Sequence, residues 1–511
     1  MKRRKVVRAI ISIIIVVAVL AFLQRLVTPK YVDDVIEGAL IAEYYEDAPN
    51  HDVVFIGDCE VYENFSPQLL FDEYGINSYI RGSAQQLIWQ SYYLLEDTLK
   101  YEKPDVVVFN ILSMKYDKPQ HEAYNRMTLE GMRWSMSKVN SIFASMTSDE
   151  NFIDYVFPIL RYHSRISELK ETDFEYMFHT KHISHNGYYL RVDVKPAENV
   201  PEGPILADYQ FGENSYKYLD MMTELCEREG IKLVLIKAPS LYPYWYDEWE
   251  EQMENYASEH NLTYINFLDA DVLEATGVDF SQDTYDGGLH LNLSGAEKIT
   301  RYFGEYLRDE VGLKDRRGEE PLTTFWDEKR EAYDEDIASQ YAALEEKKKQ
   351  NASQGDGNAQ NSQGVTVKPG EENENHKGYT LRYMGRIYAV DEPVAGALDA
   401  LGEPQSYYEA PSCAFEGLDK IYTYANITID TYPDADKNDL ISCISLKDDT
   451  ITTREGAMIG MFENEIRALY GDPTSDEGAK WVYEKDGMKL NFIFRDGKVA
   501  LIEYRTTALD E

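Results

Sequence analysis

Only four cysteines and nine histidines occur in 511 residues, so at most two disulfides can form and imidazole chemistry has few candidates. Basic residues are scarce beside acidic ones, 51 against 91, giving a formal net charge of −40. Such a balance cannot neutralise phosphates, which excludes nucleic-acid binding. Long apolar runs are rare as well. A single one, Ala9 to Leu23, is broken only by Ser12, and it reaches Val27 if Gln24 and Arg25 snorkel. About 20 apolar residues suffice for one bilayer crossing, which excludes a polytopic membrane protein.

Around that run the charge is one-sided. Lys2, Arg3, Arg4, Lys5 and Arg8 precede it, and no acidic residue occurs before position 31. The positive-inside rule keeps this tip cytoplasmic and puts the acidic body outside the cell membrane. The run ends Ala21-Phe-Leu-Gln-Arg25 with no small-x-small cleavage site, so residues 1–30 are expected to form an uncleaved single-pass anchor rather than a removed signal peptide. Disulfides are allowed in that compartment. Cys413 and Cys443 lie in two strand-like segments of one domain and either pair or remain thiols, whereas Cys226 shares a helical face with Leu219 and Met222 and reads as core.

With 43% hydrophobic and 13% aromatic residues, 40 of them Tyr, the chain can build more than one core. Strand-like runs Asp52–Ile56, Ser78–Arg81, Asp105–Phe109, Lys232–Ile236 and Thr263–Phe267 alternate with helical patterns such as Ser83–Lys100 and Asn214–Glu229. That alternation predicts an α/β fold, a parallel sheet with helices on both faces, over residues 31–315. Met114 to Pro201 has neither period and reads as a long insertion at the carboxyl rim of the sheet. An amphipathic helix is expected over 316–349. A flexible, polar linker is expected over 350–376.

Residues 377–511 predict a C-terminal α+β domain with two internal repeats. Ala395 to Pro404 echoes Asn464 to Pro473, each a short helix closed by Gly-x-Pro, and three strands follow each. No catalytic pair is evident there, so binding of a protein partner, or spacing, is the role expected of it.

Two segments carry the residue types of nucleophilic catalysis. In Phe55-Ile-Gly-Asp-Cys59 a strand ends at a turn that presents Cys59, ahead of a helix starting near Ser66-Pro67. In Asp286-Gly-Gly-Leu-His290 an imidazole stands four residues after a carboxylate that would fix its tautomer, with Asp283 as the alternative acid. No metal site and no cofactor is expected: on a helix His179, His182 and His185 would spread over about 120°, a poor chelate. Tyr242 to Tyr246 reads as packing rather than as a sugar-stacking platform.

Taken together these segments resemble the SGNH/GDSL hydrolase superfamily. Gly57-Asp58-Cys59 stands where its GDS block has serine. Gly82, Asn110 and the run His290-Leu-Asn-Leu-Ser-Gly-Ala296 follow in the superfamily's order across residues 50–312. The resemblance implies Cys59 as nucleophile, His290 as base, Asp286 as orienting acid, and Gly82 with Asn110 as oxyanion donors. Three departures stand out: cysteine replaces serine, Asn110 lacks the usual Gly-x-Asn-Asp setting, and the acid–His spacing is four rather than three. An anchored member outside the cell resembles the cell-surface acyltransferase and esterase branch. That implies acyl transfer to, or removal from, cell-wall or exported polysaccharides. The alternative is a catalytically inactive surface protein that binds envelope polymer or a protein partner.

Overall fold

A computed structural model describes residues 2–31, 37–47, 50–120, 122–147, 150–179, 181–354, 378–384, 386–411, 417–434 and 437–509. All but Gln350–Gln354 of the expected linker, and Cys413, lie outside these residues. The chain divides into two compact units. The first comprises Met1–Leu190, Phe211–Ala238 and Thr300–Lys329; the second comprises Arg191–Gln210, Pro239–Ile299 and Arg330–Glu511.

The first unit begins with helix α1, Lys2–Val27, whose stretch Arg4–Val27 is long and apolar enough to cross a membrane. Its sheet holds β1 (Val53–Gly57), β2 (Ser78–Gly82), β3 (Val106–Asn110) and β4 (Lys232–Lys237). They pair in parallel in the order β2-β1-β3-β4. Every residue of β1, β2 and β3 is buried, as a sheet covered on both faces requires. Among the helices between strands, Pro67–Tyr74 starts as its sequence dictates: Ser66 Oγ accepts the Leu69 N–H at 3.3 Å and Pro67 takes the first turn. Gly230, at φ 68°, closes Glu213–Glu229 in the left-handed conformation. Because the strands are parallel and in register, Gly57, Gly82, Asn110 and Lys237 all end at one edge.

The insertion after β3 is built of short helices, Glu122–Gly131, Met136–Ser145, Phe152–Val156, Ile159–Tyr162 and Glu171–Glu175, with a 3₁₀ turn at His163–Ser167. Leu129, Met132, Ile142 and Tyr155 form a small core with Ile41 and Leu94.

In the second unit β5 (Thr263–Asn266) follows helix Asp247–Glu259. Beyond helix Leu322–Gln354, β6 (Leu381–Tyr383) pairs with β7 (Arg386–Tyr388). The larger C-terminal sheet is antiparallel. Its strands are β8 (Ser406–Pro411), β9 (Leu418–Thr423), β10 (Ile427–Pro433), β11 (Asp439–Leu446), β12 (Ser475–Asp476), β13 (Lys480–Lys485), β14 (Met488–Arg495) and β15 (Lys498–Thr506). The order β12-β13-β14-β15-β11-β10-β9-β8 makes each repeat a four-stranded meander joined through its last strand. Each meander follows a short helix, Ala395–Leu401 or Glu463–Tyr470, stopped by Gly402 at φ 76° or Gly471 at φ 78°. The first strand of each meander was not legible among the expected three.

The residues expected as one domain over 31–315 are divided between the units. The reason is local: segments 191–210 and 239–299 bond to and pack on the C-terminal part. Lys195 Nζ lies 3.2 Å from Glu409 Oε1, Arg495 donates to the Tyr209 hydroxyl at 2.9 Å, and Leu289 is buried with Tyr408 and Ala410.

Candidate active site

Cys59, Gly82 and Asn110 belong to the first unit, Asp286 and His290 to the second. At the end of β1, Cys59 opens a one-turn helix, Cys59–Tyr62, rather than a bare turn. Asp58 caps it, accepting the Glu60 N–H at 3.2 Å. The approach of β2 is close. A Cβ on Gly82 would stand 3.0 Å from the Gly57 carbonyl oxygen and 3.3 Å from that of Asp58, while one on Gly57 would stand 2.5 Å from Val61. Glycine at both positions is what lets the two strand ends and the Cys59 turn meet.

Behind that turn lies a buried polar group that the sequence did not reveal. Asn110 Nδ2 donates to Asp58 Oδ1 and to Glu60 Oε2, both at 3.0 Å, and its Oδ1 accepts the Ala238 N–H at 3.1 Å. Lys237 Nζ reaches both Glu60 oxygens at 3.0 and 2.9 Å and the Ala238 carbonyl at 2.6 Å. Burial, with the Glu60 charge beside it, pushes the Asp58 carboxyl above its ordinary value. Both Asn110 amide hydrogens are thus taken up by carboxylates, where the resemblance assigns one to an oxyanion. No local pattern could have signalled Glu60 or Lys237, since the ion pair joins residues 177 apart.

The second unit holds a tight loop. Gly287 and Gly288, at φ 88° and 103°, turn the chain so that Asp286 faces His290. Asp286 Oδ2 lies 2.7 Å from His290 Nδ1, and its Oδ1 accepts the His290 and Leu289 N–H groups at 2.9 and 3.2 Å. A carboxylate oxygen accepts, so the ring carries a proton on Nδ1, and the neutral imidazole has its lone pair on Nε2. Thr284 ties the loop, its hydroxyl donating to the His290 carbonyl at 2.8 Å and accepting the Gly288 N–H at 2.8 Å. Asp283 is engaged elsewhere, 2.5 Å from Lys298 Nζ and 2.7 Å from the Asp279 N–H. Asp286 is therefore the carboxylate on the imidazole.

Of the remaining candidates, His182 pairs with Glu46 at 3.1 Å. In the aromatic run, Trp245 and Tyr246 are buried and Tyr246 packs on Trp249, 4.7 Å between ring centres, as packing predicts; Tyr244 is exposed.

No family model and no curated protein sequence matches the chain. Among solved structures it is similar to a protein assigned to the lipolytic G-D-S-L family from Desulfitobacterium hafniense DCB-2, with 15% identity, 50% of this chain and 99% of that one covered, and a TM-score of 0.26. A GDSL-like lipase from Bacteroides thetaiotaomicron VPI-5482 shares 14% identity over 54% and 98%, TM-score 0.26. A protein assigned as an acylhydrolase from Bacteroides fragilis NCTC 9343 shares 11% over 53% and 94%, TM-score 0.27. At these scores the functional reading rests on the residues themselves.

Proposed function

We propose that the protein is a membrane-anchored, extracytoplasmic SGNH-like acyltransferase or esterase that acts on cell-envelope glycopolymers through Cys59. The observation that carries the reading is the Asp286–His290 pair at 2.7 Å, which in the neutral imidazole leaves the lone pair on Nε2, in a chain whose β1 ends at Gly57 and is followed directly by Asp58-Cys59. In the proposed reaction Cys59 Sγ attacks an acyl carbonyl while His290 Nε2 takes the thiol proton. Collapse of the tetrahedral adduct expels the donor alcohol, which receives that proton, and leaves a thioester. A polysaccharide hydroxyl or water then gives its proton to His290 and attacks the thioester, and the sulfur regains the proton. Gly82 and Asn110 are the proposed oxyanion donors, with Asn110 redirecting one of its two N–H groups from a carboxylate.

One observation favours a second reading, a non-catalytic binder of envelope polymer: the Asn110 amide is already fully engaged by Asp58 and Glu60. A panel of acyl esters and acylated wall polymers separates the two. Under the catalytic reading Cys59→Ser retains part of the acyl chemistry and Cys59→Ala loses it. Equal turnover by wild type and Cys59→Ala refutes it.

A further inference from the structure

The insertion after β3 exposes large apolar side chains where a water-soluble surface would have polar ones. Ile153, Phe157, Leu160, Ile166, Phe174 and Phe178 are each about half exposed or more, up to 75% for Phe178; four of them lie on four consecutive short elements, and Phe157 and Phe178 lie just beyond the ends of the first and last. Patches of this kind mark a partner or a membrane.

What covers this one is indicated by what the same elements hold. Gln24 Nε2 donates to the Val156 carbonyl at 3.5 Å, Arg25 Nε to the Met177 carbonyl at 2.9 Å, and Arg165 Nη1 to the Val27 carbonyl at 2.5 Å. Residues 153–178 therefore grip the last turn of α1. The stretch Arg4–Val27 has 24 residues. At 1.5 Å per residue that is about 36 Å, against a hydrocarbon core of about 30 Å, so its last turn emerges at the headgroups. The exposed apolar side chains of α1, from Val6 to Phe22, run up to that same turn. The apolar surface of the helix and that of the insertion are thus continuous.

We propose that residues 153–178 form a membrane-docking surface, with these six side chains seated at the headgroup–acyl boundary of the leaflet from which α1 emerges. The proposal rests on α1 spanning the bilayer. It makes the insertion a second membrane contact, which fixes the first unit on the lipid surface rather than leaving it to swing on a tether.

The test uses the full chain in vesicles of phosphatidylcholine and phosphatidylglycerol. A fluorescent noncanonical amino acid replaces Val16, Leu160 or Phe178 in separate variants, and the acyl chains carry bromine either deep or close to the headgroup. The expected result is quenching of Val16 mainly by deep bromine, and of Leu160 and Phe178 mainly by shallow bromine. Quenching at Val16 alone overturns the docking surface while leaving the anchor. Quenching nowhere removes both. Labels at Leu160 and Phe178 that are shielded from aqueous iodide yet untouched by bromolipid would assign the patch to a protein and overturn the proposal as well.

Discussion

Asp286 holds His290 at two points, its Oδ2 2.7 Å from the ring Nδ1 and its Oδ1 2.9 Å from the backbone nitrogen. One carboxylate thereby sets both the tautomer and the ring's place in the loop. Asp286→Asn offers an amide that can donate to Nδ1 and reverse the tautomer. Acyl-ester turnover should fall by about 10³–10⁴-fold. Asp283→Asn should leave turnover nearly unchanged and lower stability, because Asp283 serves Lys298 and the Asp279 N–H.

Lys237 and Glu60 form an ion pair whose side chains are 0% and 2% exposed. Lys237→Met leaves Glu60 buried without its cation and should cost about 3–5 kcal/mol. The double variant Lys237→Met/Glu60→Gln should regain much of that loss. Chemical denaturation of the detergent-solubilised chain measures both.

Two buried carboxyls give stability limbs of opposite sign. Burial alone would raise the Glu102 pKa, but bonds from His51 and Tyr44 outweigh it and leave it below the ordinary value. Its contribution is present above the unfolded-state pKa and is lost as pH falls through the folded one. Asp58 is raised, so its contribution is present below the unfolded-state pKa and is lost as pH rises through the folded one. Thermal unfolding across pH 3–8 should therefore show Glu102→Gln flattening the acid limb. Asp58→Asn, which keeps the helix cap, should raise stability most at the alkaline end.

Tyr408 on β8 is buried against Leu289, next to His290. Tyr408→Ala should loosen the histidine loop and lower acyl-ester kcat about tenfold, a loss of about 1.4 kcal/mol in transition-state stabilisation. The wild-type value retained in Tyr408→Ala would confine the C-terminal sheet to a separate task.

How much of this was legible follows from the range of the forces involved. Val53–Gly57 and Val106–Asn110 could be read because each is a short apolar run closed by a turn or helix signal, Ser78–Gly82 because Tyr79-Ile80 stands just before a glycine, and the Gly402 and Gly471 stops because helix termination is local. Asp286 and His290 are four residues apart and bond within one loop, so the sequence pointed to them. Glu60, Asn110 and Lys237 could not be grouped, because sheet register brings together positions up to 177 residues distant. The insertion hid its short helices for another reason: pieces of four to ten residues carry too few turns for a 3.6-residue period to stand out.

The central claim is that His290 activates Cys59, and alkylation of Cys59 tests it most directly. Rates are followed peptide by peptide from pH 5 to 9, in wild type and in His290→Ala, with Cys226, whose thiol burial pushes up to about 12, as the unreactive internal standard. Rapid Cys59 labelling near neutral pH is expected in wild type, with the whole profile shifted toward alkaline pH in His290→Ala. Superimposable profiles would contradict it.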